Sequence, residues 1–180
     1  PFLSFLFFFS NSKFQNQNFK MLKPDSLIFD LDGTLWDALD TYLESWNEGA
    51  IIENLDRVFT RDDLHFVMGW ERSKVLRHFF PEMDEEGRER VYKTINECRL
   101  RLMPERGGVM YDGVREGLIK LSKKYKLFIV SNCPENLIVE CLKWAELEEY
   151  VTDEMAHGVN LMPKHYNIKL LINNHNLKSA

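Results

Sequence analysis

The sequence predicts an α/β protein, a doubly wound parallel sheet with an all-helical insert after its first strand. Three observations point there. A short apolar run, Leu27-Ile28-Phe29, ends in Asp30-Leu31-Asp32-Gly33, and a second, Leu127-Phe128-Ile129-Val130, ends in Ser131. Between them lies a long stretch whose apolar residues recur at helical spacing rather than in alternation. Uninterrupted apolar strands are those covered on both faces, as in parallel sheets with helices on either side. A chain of 180 residues, 44% hydrophobic, can bury one ordinary core plus a small insert, but not two full enzymes.

Each element follows from local pattern. Residues 26–31, after Pro24, read as the first strand. Leu39, Tyr42, Leu43, Trp46, Ala50 and Ile51 share one helical face, with Asp37 placed to cap that helix. Thr60 and Asp63 form a capping pair for a short helix that stops near Gly69, and Glu71 to Phe80 suits another before Pro81. Asp84 to Met103 makes a longer helix, broken at Pro104-Glu105-Arg106-Gly107-Gly108. Alternation then resumes. Asp112 can cap a helix reaching Lys124, Lys126 to Ser131 is a strand, and Asn132 with Glu135 can box the start of a helix over Pro134 to Ala145. A weak strand over residues 153–156 and a last helix from Lys164 to Asn176 complete the pattern.

Residues 1–20 differ from the rest: rich in phenylalanine, free of acids, and polar before Met21. The apolar part is shorter than the ~20 residues a bilayer span needs. It also lacks the basic start and small-residue cleavage site of a signal peptide. This stretch reads as a non-native or disordered leader, with Met21 as the native start.

Net charge is −5 with acids and bases interspersed, so no basic stripe invites nucleic acid or an anionic membrane. A small ligand is the expected partner. Cys98, Cys133 and Cys141 are odd in number and lack C-x-x-C spacing, which argues against a disulfide framework or zinc site and suits a cytoplasmic protein.

The chemistry sits in Asp30 and Asp32. Two carboxylates two residues apart project from one side of an extended chain and can converge on a metal-bound phosphate. Burying both beside an apolar strand without a cation is expensive, which disfavours reading them as ordinary turn acids.

Asp30-Leu31-Asp32-Gly33-Thr34-Leu35-Trp36-Asp37 resembles the first motif of the haloacid dehalogenase superfamily, Ser131 its second and Lys164 its third. The resemblance is in particular to its small-molecule phosphatases with a helical cap, such as phosphoglycolate phosphatase-like proteins. The resemblance runs from about Leu27 to the end of the chain. It implies a Rossmann-like core over residues 21–35 and 109–180 and a helical cap over residues 36–108. It further implies a Mg²⁺-dependent phosphatase acting on a small phosphorylated metabolite. Asp30 would be the nucleophile and Asp32 the acid and base, both near the metal. Gly33, Thr34, Ser131, Asn132 and Lys164 would hold the phosphate, and Gly69, Trp70 and Arg72 in the cap would touch substrate.

Plainer roles stay open beside these. Ser131 can simply end its strand, Lys164 can be a solvated helix-start lysine with Lys169 as its rival, and Gly69, Trp70 and Arg72 can be an interhelix loop. Trp36 is expected to pack at the hinge, and Tyr42 and Trp46 in the core. Nothing in the sequence activates Cys133.

The family has a further motif beyond the last helix, a strand ending in an acidic pair that completes the cation site. The resemblance therefore implies a C-terminally truncated chain with a weakened site and an exposed, association-prone catalytic edge strand. A sugar-phosphate mutase and a non-catalytic phosphate binder remain the rival readings. A phospho-acceptor signalling domain fits less well, because a helical insert directly after the first strand does not suit it.

Overall fold

A computed structural model describes residues 24–179; the expected Phe-rich leader falls outside them. Its centre is a parallel sheet of β1 (Ser26–Phe29), β4 (Lys126–Ser131) and β5 (Asp153–Ala156), in the order β1-β4-β5. Leu27 pairs with Leu127, and Phe128 with Asp153. Residues 127–130 of the central strand are at most 1% exposed. Side chains alternate across a strand, so Leu127 and Ile129 face one layer while Phe128 and Val130 face the other. The first layer is α5 (Val114–Ser122) and α6 (Leu137–Trp144), through Leu118, Leu137 and Ile138. The second is α8 (Lys164–Asn174), which follows the single-turn α7 (His157–Asn160), through Leu171. Helices on both faces make the sheet doubly wound, as the apolar runs predict.

Four helices fill the stretch between β1 and α5: α1 (Leu39–Ile52), α2 (Arg61–Val67), α3 (Arg72–Phe79) and α4 (Glu85–Arg106). A ribbon of β2 (Trp36–Asp37) and β3 (Val109–Met110) joins the start and end of this insert, with Trp36 opposite Met110. The insert has its own core. Phe59 is ringed edge-on by Trp46, Phe79 and Phe80 at 5.0, 5.1 and 6.2 Å between ring centres. Asn47 fixes the backbone there, donating to the Phe59 carbonyl at 3.1 Å and accepting its amide at 2.8 Å. Helices α1 and α4 approach closely at Gly49, where a Cβ would lie 2.6 Å from Ile95. Trp36, fully buried, packs with the sheet-side core.

Several local expectations need correction. The first strand stops at Phe29, so Asp30 and Asp32 stand in the loop beyond it. That strand also lies at one edge of the described sheet with Leu27, Ile28 and Phe29 only partly buried. The Thr60–Asp63 capping box is present, but the cap of α1 is Ala38. Asp37 accepts the Leu39 amide at 2.8 Å from one residue earlier. Gly113 and Asn136, both with left-handed backbones, occupy the cap positions of α5 and α6 with no side-chain cap bond. Neither Asp112 nor the Asn132–Glu135 pair caps a helix. Helix α4 runs through Pro104, which removes one amide donor near the helix end, and stops at Gly107 with φ +62°.

Candidate active site

The carboxyl ends of β1 and β4 meet the insert around a cavity of about 130 Å³. Ser131 at the end of β4 and the loop residues Asp30, Asp32 and Asn132 form its floor. Leu39, Tyr42 and Trp46 from α1, with Leu64, Met68 and Gly69 from α2 and its exit, form its wall. Crevices at strand carboxyl ends are where open α/β sheets bind ligands.

The two aspartates have different surroundings. Asp30 Oδ1 accepts the amide of Leu31 at 2.8 Å, and its Oδ2 meets Lys164 Nζ at 2.6 Å. Lys164 opens α8 just after Pro163, so the chain brings a cation to the strand end from a distant element. Lys169, its rival, is exposed further along the helix. Asp32 is held by Trp36 Nε1, donating to Oδ1 at 3.2 Å, with the Tyr42 hydroxyl at 3.5 Å. Burial pushes the Asp32 carboxyl up to about 6, opposed by the Trp36 bond and raised a little further by Asp30. One acid is thus ion-paired and its neighbour sits poised near neutrality.

Gly33 makes the turn, with φ +72° and its amide on the Trp36 carbonyl; a Cβ there would lie 2.7 Å from Met68 Sδ. The Thr34 amide donates to Leu31. Both residues are exposed and do not line the cavity, so any ordering of this loop comes from backbone bonds. Ser131 is buried at the end of β4. Asn132, expected to contact phosphate, has its Nδ2 donor on the Gly69 carbonyl at 2.7 Å, so its amide donor ties sheet loop to insert.

Of the three insert residues, Gly69 alone lines this cavity. Trp70 stacks with Phe66 and His78, with Lys74 Nζ 3.7 Å from its ring centre. Arg72 lines an adjoining cavity, paired with Glu89 at 3.2 Å and stacked over Tyr92 at 4.7 Å. Tyr42 and Trp46, expected as core, also face the cleft. Their i, i+4 spacing put them on a buried stripe, but that stripe serves the insert core and the cavity together, which spacing cannot separate. Cys133 lines the cavity as well, and burial drives its thiol well above the ordinary range, away from thiolate chemistry.

A hard cation suits the donor chemistry here. Mg²⁺ takes one or two protein carboxylates and fills its other positions with substrate oxygens and water, and Asp30 and Asp32 are the two carboxylates at this cavity that would serve. Among the described residues no group of three or more His, Cys, Asp or Glu side chains converges on one point.

Known proteins agree with this architecture. A phosphorylated carbohydrates phosphatase of Thermotoga maritima is 28% identical over 138 residues, 74% of this chain and 61% of that protein. The pyrophosphatase PpaX of Listeria innocua is 33% identical over 132 residues, 71% of this chain and 57% of that protein. The chain thus spans about three-fifths of the length of these relatives. Among solved structures, one described as a predicted phosphoglycolate phosphatase from Haemophilus somnus superposes with a TM-score of 0.71 at 18% identity, covering 87% of this chain and 74% of that one. A subfamily IA hydrolase of the same superfamily from Geobacter sulfurreducens gives 0.59 at 19%, covering 85% and 73%. These two share the fold. Residues 27–179 match the family model for haloacid dehalogenase-like hydrolases, and with the first-strand acids and the doubly wound sheet behind that match, the chain belongs to this family.

Proposed function

We propose that the protein is a Mg²⁺-dependent phosphomonoester hydrolase acting on a small phosphorylated metabolite through an aspartyl phosphate. The observation that carries this reading is the convergence of Asp30, Asp32 and Ser131 on one cavity, with Lys164 Nζ 2.6 Å from Asp30. The core, residues 21–35 and 109–180, supplies these groups, and the insert, residues 36–108, roofs them as a cap.

Asp30 attacks phosphorus as the ester P–O bond breaks, and Asp32 gives its proton to the departing oxygen. Water then attacks the acyl phosphate, Asp32 takes the water's proton, and phosphate leaves with Asp30 restored. A carboxyl near 6 is suited to both duties around neutral pH. Lys164 and the Ser131 hydroxyl hold phosphoryl oxygens as charge shifts between them, and Gly33 lets the backbone turn beside the group. Bound Mg²⁺, held by Asp30 and Asp32, would offset the repulsion between two acids and a phosphate. Trp36 and Tyr42 both donate toward Asp32 Oδ1, which fixes the carboxyl in place at the cavity.

The reading includes a cytoplasmic setting. Its support is that Cys98, Cys133 and Cys141 are buried free thiols and that no helix among the described residues is long and apolar enough to cross a membrane.

Phosphate release from p-nitrophenyl phosphate by wild type and Asp30→Asn, each with and without Mg²⁺, tests the proposal. Release by wild type with Mg²⁺ alone is expected; equal rates in all four would overturn it. Phosphate kept on the substrate instead of released would mark a mutase.

A further inference from the structure

The loop that leaves β4 completes the floor of the cleft, and Ser131, Asn132, Cys133 and Pro134 line the cavity in sequence. Elements distant in the chain grip this loop just beyond Ser131. From α7, the Gly158 amide donates to the Cys133 carbonyl at 3.1 Å. The two backbones lie so close that a Cβ on residue 158 would sit 2.1 Å from the Glu135 nitrogen and 2.8 Å from the Pro134 carbonyl carbon. Both obstacles are backbone and cannot swing aside as a side chain can, so only glycine fits while the loop keeps this position. From the insert, Arg99 of α4 reaches the same stretch. Its Nη1 donates to Glu140 Oε2 at 2.7 Å and its Nη2 toward the Glu135 carbonyl at 3.5 Å, while Nε holds Asn96 Oδ1 of its own helix at 3.1 Å.

Arg99 is a costly side chain to spend here. At 3% exposure it is the one guanidinium or ammonium group buried among the described residues. Desolvation offsets much of the attraction in a buried ion pair, so apolar residues of similar volume would hold α4 against α6 about as well. What apolar residues cannot do is aim donors at fixed points. The points taken are the Glu135 carbonyl in the loop and the Glu140 carboxylate in the first turn of α6. Together they fix where the loop runs into that helix.

We propose that Gly158 and Arg99 are positioning residues that act through Ser131: they set the loop so that the Ser131 hydroxyl stands ready for a phosphoryl oxygen before one arrives, and Arg99 makes that setting depend on how the insert is seated. The inference rests on the phosphate-binding part of the reading above and does not need turnover. A hydroxyl displaced by about 1 Å loses most of its bond to a charged oxygen, so small shifts of the loop have large effects on binding.

The test is binding of inorganic phosphate in the presence of Mg²⁺, measured by calorimetry on wild type, Arg99→Met/Glu140→Leu and Gly158→Ala, each with and without Ser131→Ala. Urea midpoints and p-nitrophenyl phosphate hydrolysis are measured in parallel. The Arg99→Met/Glu140→Leu protein should keep most of the wild-type stability, because both charges leave together, and yet bind phosphate about tenfold more weakly, the worth of one charge-assisted hydrogen bond. Gly158→Ala should lose at least as much. With Ser131→Ala already present, either change should cost under about twofold, since the group being placed is gone. A merely structural role predicts instead a loss that follows the urea midpoint and persists without the hydroxyl. Wild-type phosphate affinity in the stable Arg99→Met/Glu140→Leu protein, a loss undiminished by Ser131→Ala, or no phosphate binding by wild type would each overturn the proposal. If that protein does not fold, Arg99→Lys, which keeps a charge beside Glu140 but cannot fork to Glu135 as well, must show a similar loss with the same dependence on Ser131. The expected binding pattern without hydrolysis would defeat the phosphatase reading and leave the positioning roles standing; hydrolysis that none of these changes slows would do the reverse.

Discussion

The sheet-side core and the core of the insert are built from different side chains, and they hold the two sides of one cleft. Aliphatic residues predominate in the first: Leu31, Leu118, Leu127, Ile129, Leu137 and Ile138 pack with Trp36 beside the strands that lead into the acid-bearing loop. The second adds a cluster of aromatic rings to its aliphatic residues, with Phe59 among Trp46, Phe79 and Phe80 and the Arg57 guanidinium 4.8 Å from the Phe59 ring centre. Branched aliphatics suit a pleated surface and fix strand ends, where a misplaced carboxylate would matter most. Edge-on rings among short helices fill an irregular volume and shape a wall. The difference teaches that the two sides of the cleft are held by distinct packing systems, joined at Tyr42 and a few polar contacts.

The most damaging change to that division should be Phe59→Ala. The ring is 2% exposed at the centre of the aromatic cluster, and its loss should cost about 3–5 kcal/mol, read as a lower midpoint in urea. If the two cores are separable, proteolysis should speed up first within residues 39–106; uniform loss of protection would show them to be one unit. Arg99 is next, because it bridges the two systems. It lies in α4 at 3% exposure and bonds Glu140 of α6 at 2.7 Å. Arg99→Met should cost about 3 kcal/mol by stranding Glu140, and the double change with Glu140→Leu should recover most of it. No recovery would mean that Arg99 acts through packing.

Asp32→Asn should act in the other direction. In the unfolded chain Asp32 titrates near 3.8 and in the folded chain near 6, so its contribution is intact below 3.8 and is lost as pH rises through about 6. At pH 7 without divalent cation the asparagine variant should therefore be more stable, by about 2 kcal/mol, and the gain should vanish near pH 3.5. Denaturation across that range checks it, and a pH-independent difference would refute it. The smallest effect belongs to Arg61, whose exposed guanidinium meets Asp37 at 2.5 Å and also pairs with Asp40 where the insert begins. Arg61→Ala should cost under about 1 kcal/mol, and less in high salt. A larger cost would show that this contact sets the hinge.

Much was legible before the fold was seen. Apolar runs with helical stretches between them specify a doubly wound sheet, because a strand needing cover on both faces excludes most other architectures. The acids after the first strand were legible as candidate site residues, since two carboxylates placed together call for a cationic partner, and both line the cavity with Lys164 beside Asp30. Helix starts were less legible. Asp112 and Asn132 have side chains that suit caps, yet glycine or asparagine in a left-handed backbone occupies the cap positions.

The sequence alone determined the main strands, the helical insert between the first two, and the placing of Asp30 and Asp32 after the first strand, because apolar period and carboxylate spacing are local quantities; the short ribbon of β2 and β3 was not legible in it. Tertiary structure decided that Lys164, rather than Lys169, meets Asp30, that Tyr42 and Trp46 face the cleft as well as a core, and that Asn132 turns its amide donor to Gly69 and leaves its oxygen bare. Those outcomes depend on how helices distant in the chain are seated against the strand ends, and no period within a single segment encodes that seating.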